Sequence, residues 1–353
     1  MTATATPSST TATTAAPPLS LISRLVTMVL GIKPVFNVAK HQARAMMVKR
    51  AASIGVDWPG EVAALRSRRS LSDIQTLSPQ SQTQLLLNPI WEAELAKLRN
   101  DNLVYPDYYL QSFHAYEEGN MGWQPAFEAD VAGKTVHAKI WAGAGAKGDA
   151  QLRQSYHDVI KRTLPTPPQD IVDIGCSAGH STLALRSLYP QAHCTGVELS
   201  PYFLTVAQYR EAQYHQATDT RANRNINDAH PQYPIHWVHG AGEATGLASA
   251  SFDLASICLV IHELPRAATQ AIIAEMRRLL KPGGYLAIMD MNPQAEIYAT
   301  MPPYILTLLK STEPFLDDYF SFDLEQALVD EGFSTPTITR NSPRHRTVMA
   351  QIR

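Results

Sequence analysis

Asp173, Gly175, Gly179 and Glu198 have residue types and spacings that could do chemistry. They belong to one stretch and its sequel: "IVDIGCSAGHSTLAL", residues 171 to 185, starts apolar, breaks at two glycines four apart and resumes at helical spacing. A glycine turn between a strand and a helix aims backbone N–H groups and the positive helix end at an anion, and it lets a ligand approach closely. The dinucleotide pattern G-x-G-x-x-G would need glycine where Ser177 and His180 stand, so the strict pattern fails. Asp173, two residues before Gly175, would repel a pyrophosphate but suits a ligand ammonium, directly or through water. Glu198 follows 25 residues after Asp173, where a carboxylate can accept both hydroxyls of a ribose. Further on, His262 and Glu263 follow an apolar run. A histidine there titrates near neutrality and can remove a proton from an acceptor, with Glu263 to orient or replace it. The competing reading is that His262-Glu263-Leu264-Pro265 simply starts a helix, with Glu favoured by the helix dipole. Cys176 reads as a small core residue, because no base in its motif activates it.

The elements that must position these residues repeat regularly. Gln151 to Leu164 is a helix stopped by Pro165, Pro167 and Pro168. Strands are predicted at Ile171 to Ile174, His193 to Val197, Ile235 to Val238, Phe252 to Cys258 and Tyr285 to Met289. Helices between and after them are predicted at Ser181 to Leu188, Tyr202 to Tyr214, Ala267 to Leu280 and Leu324 to Glu331. Strands alternating with helices imply a parallel sheet covered on both faces. The last residues, 335 to 352, hold two β-rich runs joined by Asn341-Ser342-Pro343 and predict an antiparallel hairpin. The expected architecture is an α/β fold with a doubly wound, mostly parallel seven-stranded sheet ending in that hairpin, behind an α-helical N-terminal extension. Three regions follow: a Thr/Ala/Pro-rich tail over 1–19, a helical extension with an aromatic-rich lid over 20–149, and the ligand-binding domain over 150–353.

Composition narrows the class. The chain has 353 residues, 45% hydrophobic and 18% charged, with a formal net charge of -2, which argues against a polyanionic partner such as nucleic acid. Three widely spaced cysteines give neither a disulfide framework nor a zinc site, so a reducing compartment fits and no metal is expected. Residues 20 to 54 are basic and amphipathic, with Arg24, Lys33, Lys40, Arg44, Lys49 and Arg50 among apolar Leu, Val and Met, and no acid before Asp57. The apolar run Leu25 to Ile32 is too short to span a bilayer. Three readings stay open for this segment: a transit peptide, a helix docked peripherally on anionic lipid, or a helix packed on the protein's own body. The corresponding location is the cytoplasm or an organellar matrix, with or without peripheral membrane contact. Residues 104 to 123, "VYPDYYLQSFHAYEEGNMGW", concentrate Tyr105, Tyr108, Tyr109, Phe113, His114, Tyr116 and Trp123 beside Glu117 and Glu118. Such a block either caps a small core or forms a lid over a ligand.

A ligand with an ammonium, a carboxylate, a ribose and an adenine would match this set, and S-adenosylmethionine has all four. "VDIGCSAGHST", "GVELSP", "HGAGEATGLASASFDLASICLVIHELP" and "RRLLKPGGYLAIMD" stand in order over roughly residues 150 to 353. They resemble the motifs of the class I S-adenosylmethionine-dependent methyltransferases, in the small-molecule branch similar to ubiquinone/menaquinone-type enzymes. The resemblance implies cofactor contacts from Asp173, Gly175, Cys176, Ser177, Gly179, Glu198, Leu199, Ala241, Gly242, Glu243 and Leu259, and methyl transfer to oxygen or carbon assisted by His262 and Glu263. Where the family commonly has Asp for the adenine amine this chain has Ala241, so that role falls to Glu243 or to backbone groups. Ala241 also keeps open a module that binds the cofactor without turning it over. "MPPY", residues 301 to 304, looks like an amide-gripping tetrapeptide but follows the fifth strand, not the fourth. Residues 293 to 321, with Tyr298, Met301, Tyr304, Ile305, Leu308, Leu309, Phe315, Tyr319 and Phe320, are read as an apolar substrate cap, which implies a small lipophilic acceptor.

Overall fold

The computed structural model describes residues 44–114, 116–222, 233–302, 305, 309–310 and 312–353. The 1–19 tail, residues 20–43 of the basic segment, Tyr304 and Leu308 lie outside the described residues. The longer helices that precede the sheet among the described residues include α1 (Trp58–Ser67), α2 (Ile90–Leu98), α3 (Trp123–His137) and α4 (Gly148–Thr163). The strands are β1 (Asp170–Ile174), β2 (His193–Glu198), β3 (His236–His239), β4 (Phe252–Cys258), β5 (Leu280–Met291), β6 (Thr337–Arg340) and β7 (His345–Gln351). Between them run α5 (His180–Leu188), α6 (Pro201–Ala222), α7 (Arg266–Leu279) and α8 (Leu324–Asp330). The seven strands are ordered β3-β2-β1-β4-β5-β7-β6, parallel except for β7, which pairs antiparallel with both β5 and β6. This is the doubly wound sheet with a terminal hairpin expected from the sequence.

Strand β1 is buried on both faces because helices cover both. With side chains alternating across the strand, Val172 and Ile174 enter one core with Ile257, Ile272, Met276 and Ile288. Ile171 enters the other with Leu152, Tyr156, Leu185 and Leu254. The chain leaves β1 toward β2 on one side, while β4 lies on the other, so a crevice opens at their carboxyl ends, the usual ligand position in such sheets. β5 begins five residues earlier than expected. Phe252 pairs with Leu280 and Leu254 with Tyr285, so Lys281-Pro282-Gly283-Gly284 loops out as a bulge, with Gly283 at φ 79.

The N-terminal extension shares a core with the sheet domain. Trp91, Ala126 and Phe127 pack with Ala178, Phe203 and Val206, the last three from the glycine turn and α6. The indole N–H of Trp91 donates to the carbonyls of Leu65 and Arg66, and the Arg68 guanidinium lies 3.8 Å above its ring. Residues 44–53 are helical, and Met47, Val48, Ala51 and Ile54 pack against Val56, Trp58 and Val131. For this described end of the basic segment the apolar face therefore meets the protein's own body, and Arg44 pairs with Glu128. None of the described helices is long and apolar enough to cross a membrane. The expected cap is divided: Leu316 and Tyr319 belong to the main core and Leu309 and Phe320 pack against it, while Tyr298 rests on Phe320 and Phe315 on Tyr108.

Candidate active site

Asp173 and Glu198 flank the glycine turn from adjacent strands. Asp173 pairs in register with Gly196, and the N–H groups of Gly175 and Cys176 both donate to the Val197 carbonyl, at 2.9 and 3.1 Å. Gly175 has φ 65, and a Cβ there would stand 2.7 Å from Val260 Cγ2; glycine is required by both conformation and space. Gly179 has φ 82, and a Cβ there would meet Ala207 at 2.9 Å and Trp237 at 3.0 Å, so its small size serves the packing of α5 on α6 and β3.

The two acids differ in how they are satisfied. Asp173 is fully buried, and its Oδ2 accepts from the hydroxyls of Ser181 and Thr182 at the start of α5. Among the described residues its Oδ1 is buried with no hydrogen-bond partner, so it is left to accept from a ligand donor or water. Burial raises its pKa, against the pull of the Ser181, Thr182 and Ser256 hydroxyls and of Arg153. Glu198 Oε2 accepts from Ser177 N–H at 2.9 Å, and Oε1 accepts from Ser200 N–H at 2.8 Å and from the Tyr109 hydroxyl at 2.7 Å. Burial raises Glu198 too, opposed by those donors.

The remaining residues expected to contact the cofactor fall into two groups. Leu199 gives its carbonyl to the protonated His239 Nε2 at 2.9 Å, because Asn100 N–H already donates to His239 Nδ1. Ala241 closes a tight turn with Ala244, and Glu243 beside it accepts from the Tyr108 hydroxyl, leaving Oε2 buried and unpaired. Leu259, with φ 60, follows the end of β4, and its N–H donates to the Met289 carbonyl. Gly242 turns inward instead: a Cβ there would meet Ile174 at 2.8 Å. The Cys176 thiol is likewise buried, and burial pushes its pKa well up, leaving only backbone to face the crevice.

At the carboxyl ends of β4 and β5 lies an ionisable cluster. His262 and Glu263 sit in a short 3-10 turn over Ile261–Glu263. Asp290, buried at the end of β5, accepts from His262 N–H at 3.2 Å and places Oδ1 2.7 Å from His262 Nδ1. That oxygen lies off the direction of a ring N–H, so the contact is an ion pair and not an aligned hydrogen bond. Burial lowers the His262 pKa, but Asp290, Glu263 and Glu313 override it and lift it to about 10. Glu263 is raised by burial, held back by His114 and His262, and settles at about 7. His114, at φ 48 in the aromatic segment, places Nε2 2.8 Å from Glu313 and 3.7 Å from Glu263.

Sequence reasoning missed Arg153, Asp290 and Glu313 as site residues, and placed His114 only within the aromatic block. Arg153 hid in what reads as an ordinary helix. Its Nε donates to Asp149 at 2.9 Å, its NH1 lies 3.5 Å from Cys258 Sγ at the end of β4, and it acts electrostatically on Asp173. A guanidinium there suits a ligand carboxylate. Arg153→Ala is expected to weaken S-adenosylhomocysteine binding about tenfold or more. It should leave 5′-methylthioadenosine, which lacks the carboxylate, unaffected; titration calorimetry with both compounds checks this.

Fold and site together define a doubly wound α/β protein built to hold a nucleoside that also carries a charged amino-acid group. Residues 172–288 match the family described as a methyltransferase domain, so this part of the chain is a methyltransferase domain of the class I, S-adenosylmethionine-dependent kind. An uncharacterized methyltransferase of Synechocystis sp. is 27% identical over 182 residues, 51% of this chain and 74% of that one. An O-methyltransferase of Penicillium expansum is 26% identical over 165 residues, 46% of this chain and 53% of that one. A trans-aconitate 2-methyltransferase of Azoarcus sp. is 31% identical over 131 residues, 37% and 42% of the two chains. The chain thus spans about half the length of most curated relatives it matches.

Proposed function

We propose that this chain transfers a methyl group from S-adenosylmethionine to an oxygen or carbon of a small, lipophilic molecule. The observation that carries the reading is the pair of carboxylates on neighbouring strands around the glycine turn, with Asp173 Oδ1 buried and unpartnered. On this reading Glu198 holds the ribose hydroxyls, Asp173 the ammonium, Arg153 the carboxylate, and the 241–243 turn the adenine. When bound, the cofactor supplies a methyl group already activated by positive sulfur.

The chain's own task is then to align an acceptor, exclude water and remove a proton. Alignment alone recovers about 7 to 11 kcal/mol where the reacting atoms are well oriented. Glu263 is the better proton acceptor of the pair, because its pKa near 7 matches neutral operation. His262, lifted to about 10 by Asp290 and its acidic neighbours, stands as an imidazolium that holds Glu263 ionised. A quarter of the Glu263 side chain, 24%, stays exposed, which leaves it reachable by an acceptor. The half-buried rings of Tyr298 and Phe315 support an apolar portion on that acceptor. The basic stretch up to Lys40 has the composition to bring such an enzyme to an anionic membrane surface. The region 150–353 is the catalytic unit on this reading, with 44–149 as its docked lid.

Calorimetry of the full chain with S-adenosylhomocysteine and with NAD tests the assignment. Binding of the former below millimolar concentration and no binding of NAD are expected; NAD binding alone would end the methyltransferase reading. Incubating cell extract with labelled methyl donor, followed by mass spectrometry, identifies the acceptor.

A further inference from the structure

We propose that the turn over Asp107–Leu110 is a plug, which competes with the cofactor's nucleoside for Glu198 and Glu243 and must swing out before the cofactor enters. The inference rests on the cofactor reading above. A carboxylate oxygen has two lone pairs, and Glu198 Oε1 already accepts from Ser200 N–H at 2.8 Å and the Tyr109 hydroxyl at 2.7 Å. A ribose diol gripped by both oxygens therefore finds Oε1 full. Ser200 N–H is fixed by the strand-to-helix turn, so Tyr109 is the donor that can leave. The next residue repeats the arrangement: the Tyr108 hydroxyl donates to Glu243, the side chain beside the turn assigned to adenine. Two adjacent phenols thus engage both ends of the nucleoside site at once.

The fastening of this segment fits a hinged part. On one side Asn100 N–H is held by His239. On the other, the Tyr116 hydroxyl donates to Glu128 at 2.6 Å, which Arg44 also grips, and the Asn120 carbonyl accepts from Ser200 Oγ at 2.7 Å. Between these points Val104 and Leu110 are 86% and 54% exposed, and the turn is held through the rings and hydroxyls of its tyrosines: the Tyr105 hydroxyl lies 3.0 Å from His239 Nε2 and Tyr108 packs edge-on against Phe315. Segments with few buried apolar contacts open at low free-energy cost. Burial and the adjacent carboxylate keep the Tyr109 phenol protonated, so it remains a donor throughout the neutral range.

The test is S-adenosylhomocysteine binding to the full chain, by calorimetry and stopped-flow. Tyr109→Phe removes one oxygen and should tighten binding about tenfold, with faster association; Tyr108→Phe should act in the same direction. In the unsubstituted protein the observed association rate should reach a plateau at high ligand, the mark of an opening step that precedes entry. Unchanged or weaker binding in Tyr109→Phe overturns the plug while leaving the cofactor reading intact. Absence of binding in the unsubstituted protein overturns the cofactor reading, and the plug with it. Should Tyr109→Phe fail to fold, Tyr108→Phe decides the matter by the same criteria.

Discussion

Glu263→Gln is expected to lower methyl transfer to the acceptor by about 10² to 10⁴, the usual contribution of a positioned general base, with S-adenosylhomocysteine affinity nearly unchanged. The native rate should rise with pH through about 7 as Glu263 loses its proton, and the glutamine variant should lack that rise. His262→Gln separates the two roles. Because His262 lowers the Glu263 pKa, its removal should move the rising limb to higher pH and let much of the rate return there; an unshifted limb with a uniformly low rate would make His262 the base itself. Stability gives a second readout that needs no acceptor. His262 has its pKa raised from 6.5 to about 10 on folding, so its contribution is fully present below pH 6.5 and is lost as pH rises toward 10. The melting temperature should fall over that window, and less steeply in His262→Gln.

The sheet was legible because its strands have one reading. Ile171 to Ile174 is apolar at every position but Asp173, and a short strand buried on both faces tolerates that one acid only where a hydroxyl pair such as Ser181 and Thr182 answers it. Glu198 was legible for a related reason: a carboxylate ending an apolar strand needs a partner beyond the core. The parts that escaped depend on contacts across long sequence separations. His262 looked like a free base until Asp290, 28 residues on, stood beside it, and periodicity does not reveal a neighbour on the next strand. Arg153 carried the signature of a solvated helix face, since charge spacing along a helix says nothing of which face meets a strand end. The aromatic segment reads from sequence either as a core cap or as a lid, and its register is not legible there. Only the fold tells that Tyr109, and not Tyr105 or Tyr116, meets Glu198. Gly242 illustrates the converse: a glycine beside a ligand turn suggests close approach, yet its missing side chain leaves room for Ile174 and Ile272.

Glu198→Ala is expected to weaken S-adenosylhomocysteine binding by about 10- to 150-fold, the equivalent of about 1.5 to 3 kcal/mol for hydrogen bonds to a charged group. The loss should not be distributed evenly between the rate constants. On the plug proposal Glu198 serves two donors in turn: Tyr109 before the ligand arrives and the ribose hydroxyls after. Removing it therefore loosens the closed segment as well as the bound nucleoside. Association should be faster than in the unsubstituted protein while dissociation accelerates far more, so that the whole affinity loss appears in the off-rate. An alanine variant that binds as tightly as the native chain would remove Glu198 from the site altogether. One that binds weakly through a slower on-rate would instead mean that this carboxylate helps to hold the crevice open. Asp173→Asn gives the contrast, because Asp173 makes no contact with the lid: its loss of affinity should come with an unaltered association rate, since the opening step does not involve it.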